Sequence, residues 1–263
     1  MIGAMRAPVD QRWYRLSLGI LVLSAWAALA LWGASPFSGL LNHRESGGSS
    51  FPPLLRVGAF VVGWTLMTVA MMLPSSLPLV NLFRRFVVQR PNRARLLALL
   101  LLGYLGIWAE FGLLAYLGDS ALHAAVAVLP VLQSASGTIA ASVLLVAGVY
   151  QFTPLKQLCL DKCRSPYSFL VQHWSGRRAG RDALRLGLHH GLFCLGCCWT
   201  LMLLMFAIGG VNLGWMLLLA VFMTAERTTR WGRQLTRPLG ALLILWAALH
   251  LAGLAPFPGA EGL

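Results

Sequence analysis

At 263 residues, with 58% hydrophobic and only 11% charged side chains, the chain is too apolar for a soluble protein, although its length alone would fit one or two soluble domains. The formal charge of +13 does not point to nucleic acid, because a chain with long uncharged apolar runs collects lysine and arginine on its cytoplasmic side. Five cysteines, three of them in one apolar run, argue against a disulfide framework of the secreted type and for thiol or metal chemistry.

Arg6, Arg12 and Arg15 precede an apolar run that exceeds the usual signal-peptide core of about 7–15 residues. An uncleaved first span over 16–34 is therefore expected. The segment 35–53, with SGGSS, three prolines and His43, reads as a polar loop. A second span over 56–80 leads into 81–95, a loop with five arginines. The third span, 96–117, is followed by 118–136, read as a loop without lysine or arginine that carries His123. A short fourth span, 137–152, precedes the longest hydrophilic stretch, 153–185, with seven basic residues. The fifth span covers 187–206, and 209–213 forms a tight uncharged turn. The sixth covers 214–226, Arg227, Arg230, Arg233 and Arg237 make a basic loop, and the seventh covers 238–254. No internal repeat is visible.

These segments predict an all-α, polytopic membrane helix bundle: one integral membrane domain over 1–263 with about seven transmembrane helices. The N-terminal segment and the loops after the second, fourth and sixth spans hold 19 of the 21 lysines and arginines. With seven spans all four lie on one side, which puts the N-terminus in the cytoplasm and the C-terminus outside.

The fifth span, GLHHGLFCLGCCWTLMLLMF, carries unusual chemistry for an apolar helix. With about 100° per residue, His190, Cys194, Cys197, Cys198, Met202 and Met205 share an arc of roughly 140°, while His189 points elsewhere. Taken singly, cysteine and methionine are ordinary fillers of membrane helices. As one face of imidazole, thiol and thioether groups they favour a soft metal ion, Cu(I) first and zinc second. Gly187 and Gly191 lie on the same face and permit close approach of another helix.

In the second span, Met67 and Met71 are four residues apart and share a face, with Met72 offset by about 100°. Pro74 cannot donate to the carbonyl of Ala70, so the helix is expected to open beside the three thioethers. This is either a methionine-rich packing seam or part of a site shared with the fifth span. Cys159 and Cys163 are also four apart, with Lys156, Lys162 and Arg164 nearby to favour thiolate. They read as a transient copper pair at the cytoplasmic mouth or as two plain juxtamembrane cysteines. Glu110 within the third span is a functional candidate by default, through a buried hydrogen bond or proton coupling. Glu226 is expected in an interfacial ion pair with Arg227 and Arg230. His43 and His123 are isolated loop histidines on the outer side. No Walker, Rossmann, HExxH or Ser-His-Asp signature is present.

Three blocks, WTLMTVAMMLP, VYQFTPLKQLCLDKCRSP and HGLFCLGCCWTLM, resemble a bacterial family described as predicted metal-binding integral membrane proteins. That family includes a membrane copper chaperone associated with a tyrosinase. The resemblance implies copper handling in the bacterial inner (plasma) membrane, with a client metalloenzyme or partner membrane subunit and the lipid bilayer as partners, and no nucleic acid. It points to Met67, Met71, Met72, Cys159, Cys163, His190, Cys194, Cys197 and Cys198, and less directly to Glu226. Two other readings stay open: a membrane thiol or copper oxidoreductase using Cys197 and Cys198 with Glu110 as proton carrier, and a non-catalytic subunit of a membrane complex.

Overall fold

The computed structural model describes residues 8–35, 52–129, 136–207 and 212–255. Among them it contains nine helices and no strand: α1 (Pro8–Gly33), α2 (Pro53–Phe86), α3 (Arg93–Val128), α4 (Ser136–Tyr150), α5 (Pro154–Arg164), α6 (Pro166–His173), α7 (Ala179–Ala207), α8 (Leu213–Thr228) and α9 (Gly232–Leu251). Five of them, α1, α2, α3, α7 and α9, are long and apolar enough to cross a membrane. The pair α4 and α5, bent by 63° at a short break, passes the same test together.

The local chemistry of the helix ends is legible in the residues. Proline opens α2, α5 and α6, where its missing N–H costs nothing because the first-turn donors have no partner inside the helix. Thr153 caps α5 by accepting from the backbone N–H of Lys156. Asn212 caps α8 by accepting from the N–H groups of Gly214 and Trp215, at 3.1 and 3.2 Å.

Several boundaries differ from the sequence expectation. Residues 118–128, expected in a loop without lysine or arginine, continue α3 by almost three turns. Alanine and leucine sustain the helix there, and Val128 lies two residues before Pro130. His123 is therefore on a helix, with Nδ1 2.9 Å from the Asp119 carbonyl oxygen. His43 lies outside the described residues. The arginine-rich stretch 81–95 is mostly helical, shared between the end of α2 and the start of α3. The hydrophilic stretch 153–185 folds into α5, α6 and the first turns of α7. Pro238 does not start the last helix but sits inside α9. Likewise α2 is unbroken across Pro74 and Pro78, and Ser75 and Ser76 hydrogen-bond to the Met72 carbonyl at 2.8 and 3.2 Å.

Helix directions follow from close approaches. A Cβ added at Gly187 of α7 would overlap the Leu100 carbonyl of α3, and one at Gly191 would press on Ile107 and the Tyr104 carbonyl, so the two backbones touch and run parallel. The expectation that these glycines admit a neighbouring helix is met. Between α2 and α3 the aromatic pairs Trp64–Phe111 and Phe60–Tyr116 show opposite senses, hence an antiparallel packing. Between α4 and α9, Gly148 meets Gly240 and Ile244 while Gly137 meets His250, again antiparallel.

The interior divides into two buried clusters. The smaller joins the arginine-rich end of α2 and the start of α3 to α6 and the first turns of α7, around Phe83, Leu96 and Phe169. The larger lies between α2, α3, α7 and α8 and contains the three cysteines of α7.

Candidate metal centre

Cys194, Cys197 and Cys198 sit one turn apart on the inner face of α7, and all three are buried. A guanidinium group occupies the space between their sulfurs. Arg227, from the last turn of α8, places Nη1 3.1 Å from Cys194 Sγ and Nη2 3.1 Å from both Cys197 Sγ and Cys198 Sγ. The same group donates to Ser75 Oγ of α2 at 2.6 Å and to the Cys194 carbonyl at 3.2 Å. This arginine is buried and has a hydroxyl, a carbonyl and three sulfurs as its hydrogen-bond acceptors. With it in place, no group of three or more His, Cys, Asp or Glu side chains among the described residues is arranged to hold a metal ion.

Sulfur also arrives from two other helices. Met72 Sδ of α2 lies 3.8 Å from Cys198 Sγ. On α5 Cys163 packs against the core cluster that holds the α7 cysteines, and Cys159 packs its sulfur against Gly196, where a Cβ would meet it at 2.6 Å. The bend between α4 and α5 folds α5 inward, so the Cys159–Cys163 pair joins the cysteines of α7 instead of standing apart at the mouth of the bundle. All five cysteines are free thiols.

An aromatic wall closes one side. The Tyr104 hydroxyl of α3 is 3.1 Å from Cys194 Sγ, and its ring stacks on His190 with centroids 5.5 Å apart. Phe169 of α6 meets the other edge of the imidazole, at 5.8 Å. His190 is buried, and its Nε2 has no hydrogen-bond partner. A buried ring nitrogen left in this way costs free energy that a bound cation would return. His189 is exposed, lies against His173, and takes no part in the centre, as its angle on the helix predicts.

Met67, Met71 and Met202 are buried in the same core cluster as the cysteines. Glu226 is not paired with Arg227 or Arg230. Its carboxylate receives Lys156 Nζ at 3.0 and 3.1 Å, and that amine also donates to Gln151 Oε1, which makes a buried ion pair across α5 and α8. The reason lies in helix geometry: adjacent residues 226 and 227 diverge by about 100°, so one meets α5 while the other meets α7. Glu110 is exposed on the outside of α3, which removes the buried hydrogen bond considered for it.

Tyr104 and Ser75 escaped the sequence analysis, and Arg227 carried another role there, that of a basic loop residue paired with Glu226. Arg227 had a visible signal. It falls about 20° from Met216 and 40° from Met223 around α8, on the face that carries the buried methionines.

Sulfur groups of α2, α5 and α7 thus gather around the Arg227 guanidinium. The sequence model of the PpoB2 family, described as copper chaperone, matches residues 61–250. The chain belongs to the PpoB2 copper chaperone family. The matched range runs from α2 to α9 and contains every sulfur just described, and membership supports a copper-handling role. No curated protein and no solved structure matches the chain.

Proposed function

We propose that this PpoB2-family chain is a Cu(I) chaperone of the bacterial plasma membrane that holds the ion on Cys194, Cys197 and Cys198 and passes it to a client metalloenzyme. Met72, Cys163 and the orphaned His190 Nε2 are the further donors within the same pocket, with Met67, Met71, Met202 and Cys159 in the surrounding core. The observation that carries the reading is the cation already seated between three thiols. Arg227 lies 3.1 Å from each of them, and a positive charge already resting on three sulfurs supports the reading of this pocket as a soft-cation site. Thiol, thioether and imidazole donors select Cu(I) over hard cations, with zinc the runner-up.

A Cu(I) ion entering this pocket displaces the guanidinium from at least one sulfur. Two thiolates around one Cu(I) carry a single net negative charge, and Arg227 beside them cancels it. The arginine is then the counter-charge that lets an anionic copper–thiolate group exist in an apolar core.

The same proposal takes residues 1–263 as one integral domain crossing seven times, with the N-terminus in the cytoplasm. Support comes from where the basic segments meet. Arg164 of α5 donates to the Thr229 carbonyl at 2.7 Å and to the Glu226 carbonyl in the α8–α9 turn, and Arg233 lies 3.5 Å from Asp161. Trp174, after α6, packs edge-on against Phe83 and Phe86 at the arginine-rich end of α2. The loops after the second, fourth and sixth spans therefore gather at one end, as alternating crossings require.

The test is titration of the purified full-length chain with Cu(I) against a competing chelator. One tight equivalent is expected in the wild type, and its loss is expected when Cys194, Cys197 and Cys198 are all replaced by serine, a change on the order of a thousandfold or more in affinity. Unchanged tight binding in that triple variant would overturn the assignment.

A further inference from the structure

The chain has nine methionines, and seven of them lie in spans. All seven are buried in the larger core cluster: Met67, Met71 and Met72 on α2, Met202 and Met205 on α7, and Met216 and Met223 on α8. None faces outward, while leucine and valine take the outer positions of the same helices, such as Leu192 on α7, Leu217, Leu218 and Val221 on α8, and Val62 on α2. A filler used for its flexibility alone has no reason to gather on the inner faces of three particular helices and avoid the others. Among the described residues, α1, α3, α4 and α9 carry no methionine.

Their heights are ordered. Along α7, Met202 and Met205 stand about 6 and 10 Å beyond Cys198 toward the α7 C-terminus. The chain returns after a short connection as α8, so Met223 and Met216, about 6 and 16 Å from Arg227, climb toward the same end. On α2, Met67 is about 8 Å from Met72 toward the N-terminus of that helix. Since α2 runs opposite to α3 and α3 runs parallel to α7, this too is the α7–α8 end. Met205 is two residues from the end of α7 and Met216 three residues from the start of α8. The thioethers thus begin at the cysteine centre and reach the end of the bundle opposite the arginine-rich turns.

We propose that Met67, Met71, Met202, Met205, Met216 and Met223 form a second, weaker Cu(I)-binding zone that carries the ion between the cysteine centre and the α7–α8 end of the bundle. The proposal rests on the reading of the cysteines as a Cu(I) centre and gives that centre an exit. A thioether binds Cu(I) without losing a proton and leaves its charge uncancelled, so each methionine holds the ion loosely and releases it to the next. Transfer is ligand exchange with no change of oxidation state: a copper bond to a methionine sulfur forms as one to a cysteine sulfur breaks. Of the two freed thiolates, one keeps its electron pair against the Arg227 guanidinium, which already reaches all three cysteine sulfurs, and the other takes back from solvent the proton it lost on binding copper.

The experiment uses the full chain in detergent, with Cu(I) in competition with a moderate chelator. The wild type is expected to bind more than one equivalent, one tight and the rest weaker. Met202→Leu/Met205→Leu/Met216→Leu/Met223→Leu is expected to keep the tight equivalent and lose the weaker ones, because leucine matches methionine in volume. The triple serine variant of Cys194, Cys197 and Cys198 is expected to show the reverse. Wild-type chain labelled with selenomethionine gives the same answer without mutation: copper X-ray absorption should gain a Cu–Se shell as copper exceeds one equivalent. A wild type limited to its tight equivalent, a leucine variant with unchanged weak binding, or no Cu–Se shell at excess copper each overturns the methionine zone and leaves the cysteine centre standing. A wild type that binds no copper overturns both.

Discussion

Two adjacent residues of α8 turn opposite charges into the same core, and their surroundings differ. Glu226 faces α5 and finds Lys156, an opposite charge, with Gln151 completing the amine's hydrogen bonds. Arg227 faces α7 and α2 and finds a serine hydroxyl, a carbonyl and three cysteine sulfurs. The first charge is closed off by a partner that can do nothing else. The second is held by groups that include the three cysteines proposed to bind copper. One buried charge keeps the helices together and the other has partners available to a visitor, and substitutions at Lys156, Glu226, Arg227 and Glu110 test that separation.

The largest expected effect falls on the closed pair. Lys156→Met leaves the Glu226 carboxylate buried without its partner, and should destabilise the fold by about 3–5 kcal/mol in denaturant titration of the detergent-solubilised protein. Lys156→Met with Glu226→Leu removes both charges and should recover most of that loss. Both variants that fold should bind the tight Cu(I) equivalent as the wild type does. A fall in copper stoichiometry in the double variant would show that the pair belongs to the centre after all.

Arg227 should behave in the opposite way. Arg227→Leu leaves a copper–thiolate group with its negative charge uncancelled in the core, so Cu(I) affinity should fall about tenfold to a hundredfold. Arg227→Lys keeps the charge and should restore a large part of the affinity, though one amine cannot reach three sulfurs and a hydroxyl in a planar fork as guanidinium does. Equal affinity in the wild type and Arg227→Leu would reduce Arg227 to a packing role.

How much of this was legible beforehand follows from what a helix can announce about itself. The face of His190, Cys194, Cys197 and Cys198 was readable because all its members share one helix, and periodicity alone puts them together. The nearness of Met72 was a geometric possibility until the 3.8 Å contact with Cys198. Arg227 was assigned to a basic loop because charge at the end of an apolar run normally means solvent; only the packing of α8 against α2 and α7 turns it inward. Lys156 was legible only as a charge beside Cys159, since its burial depends on the 63° bend after α4. The helical extension to Val128 has a simpler reason: a segment without lysine or arginine reads as loop, while its alanine and leucine favour helix.

The third ionisable group within the bundle completes the comparison and carries the smallest effect. Glu110 sits midway along α3 but on its outer face, away from Tyr104, whose hydroxyl reaches Cys194. It shares neither the closed pair nor the sulfur pocket, so nothing in the core answers its charge. Glu110→Gln should therefore leave both tight copper affinity and the weaker equivalents unchanged, and stability within about 0.5 kcal/mol of the wild type. The reading in which this carboxylate serves the cysteines as a proton carrier predicts the opposite, a clear loss of thiol or copper chemistry on the same substitution. A tenfold fall in copper affinity for Glu110→Gln would mean that the outer face of α3 is coupled to the centre, and that a buried location is not what separates the working charges of this bundle from the idle one.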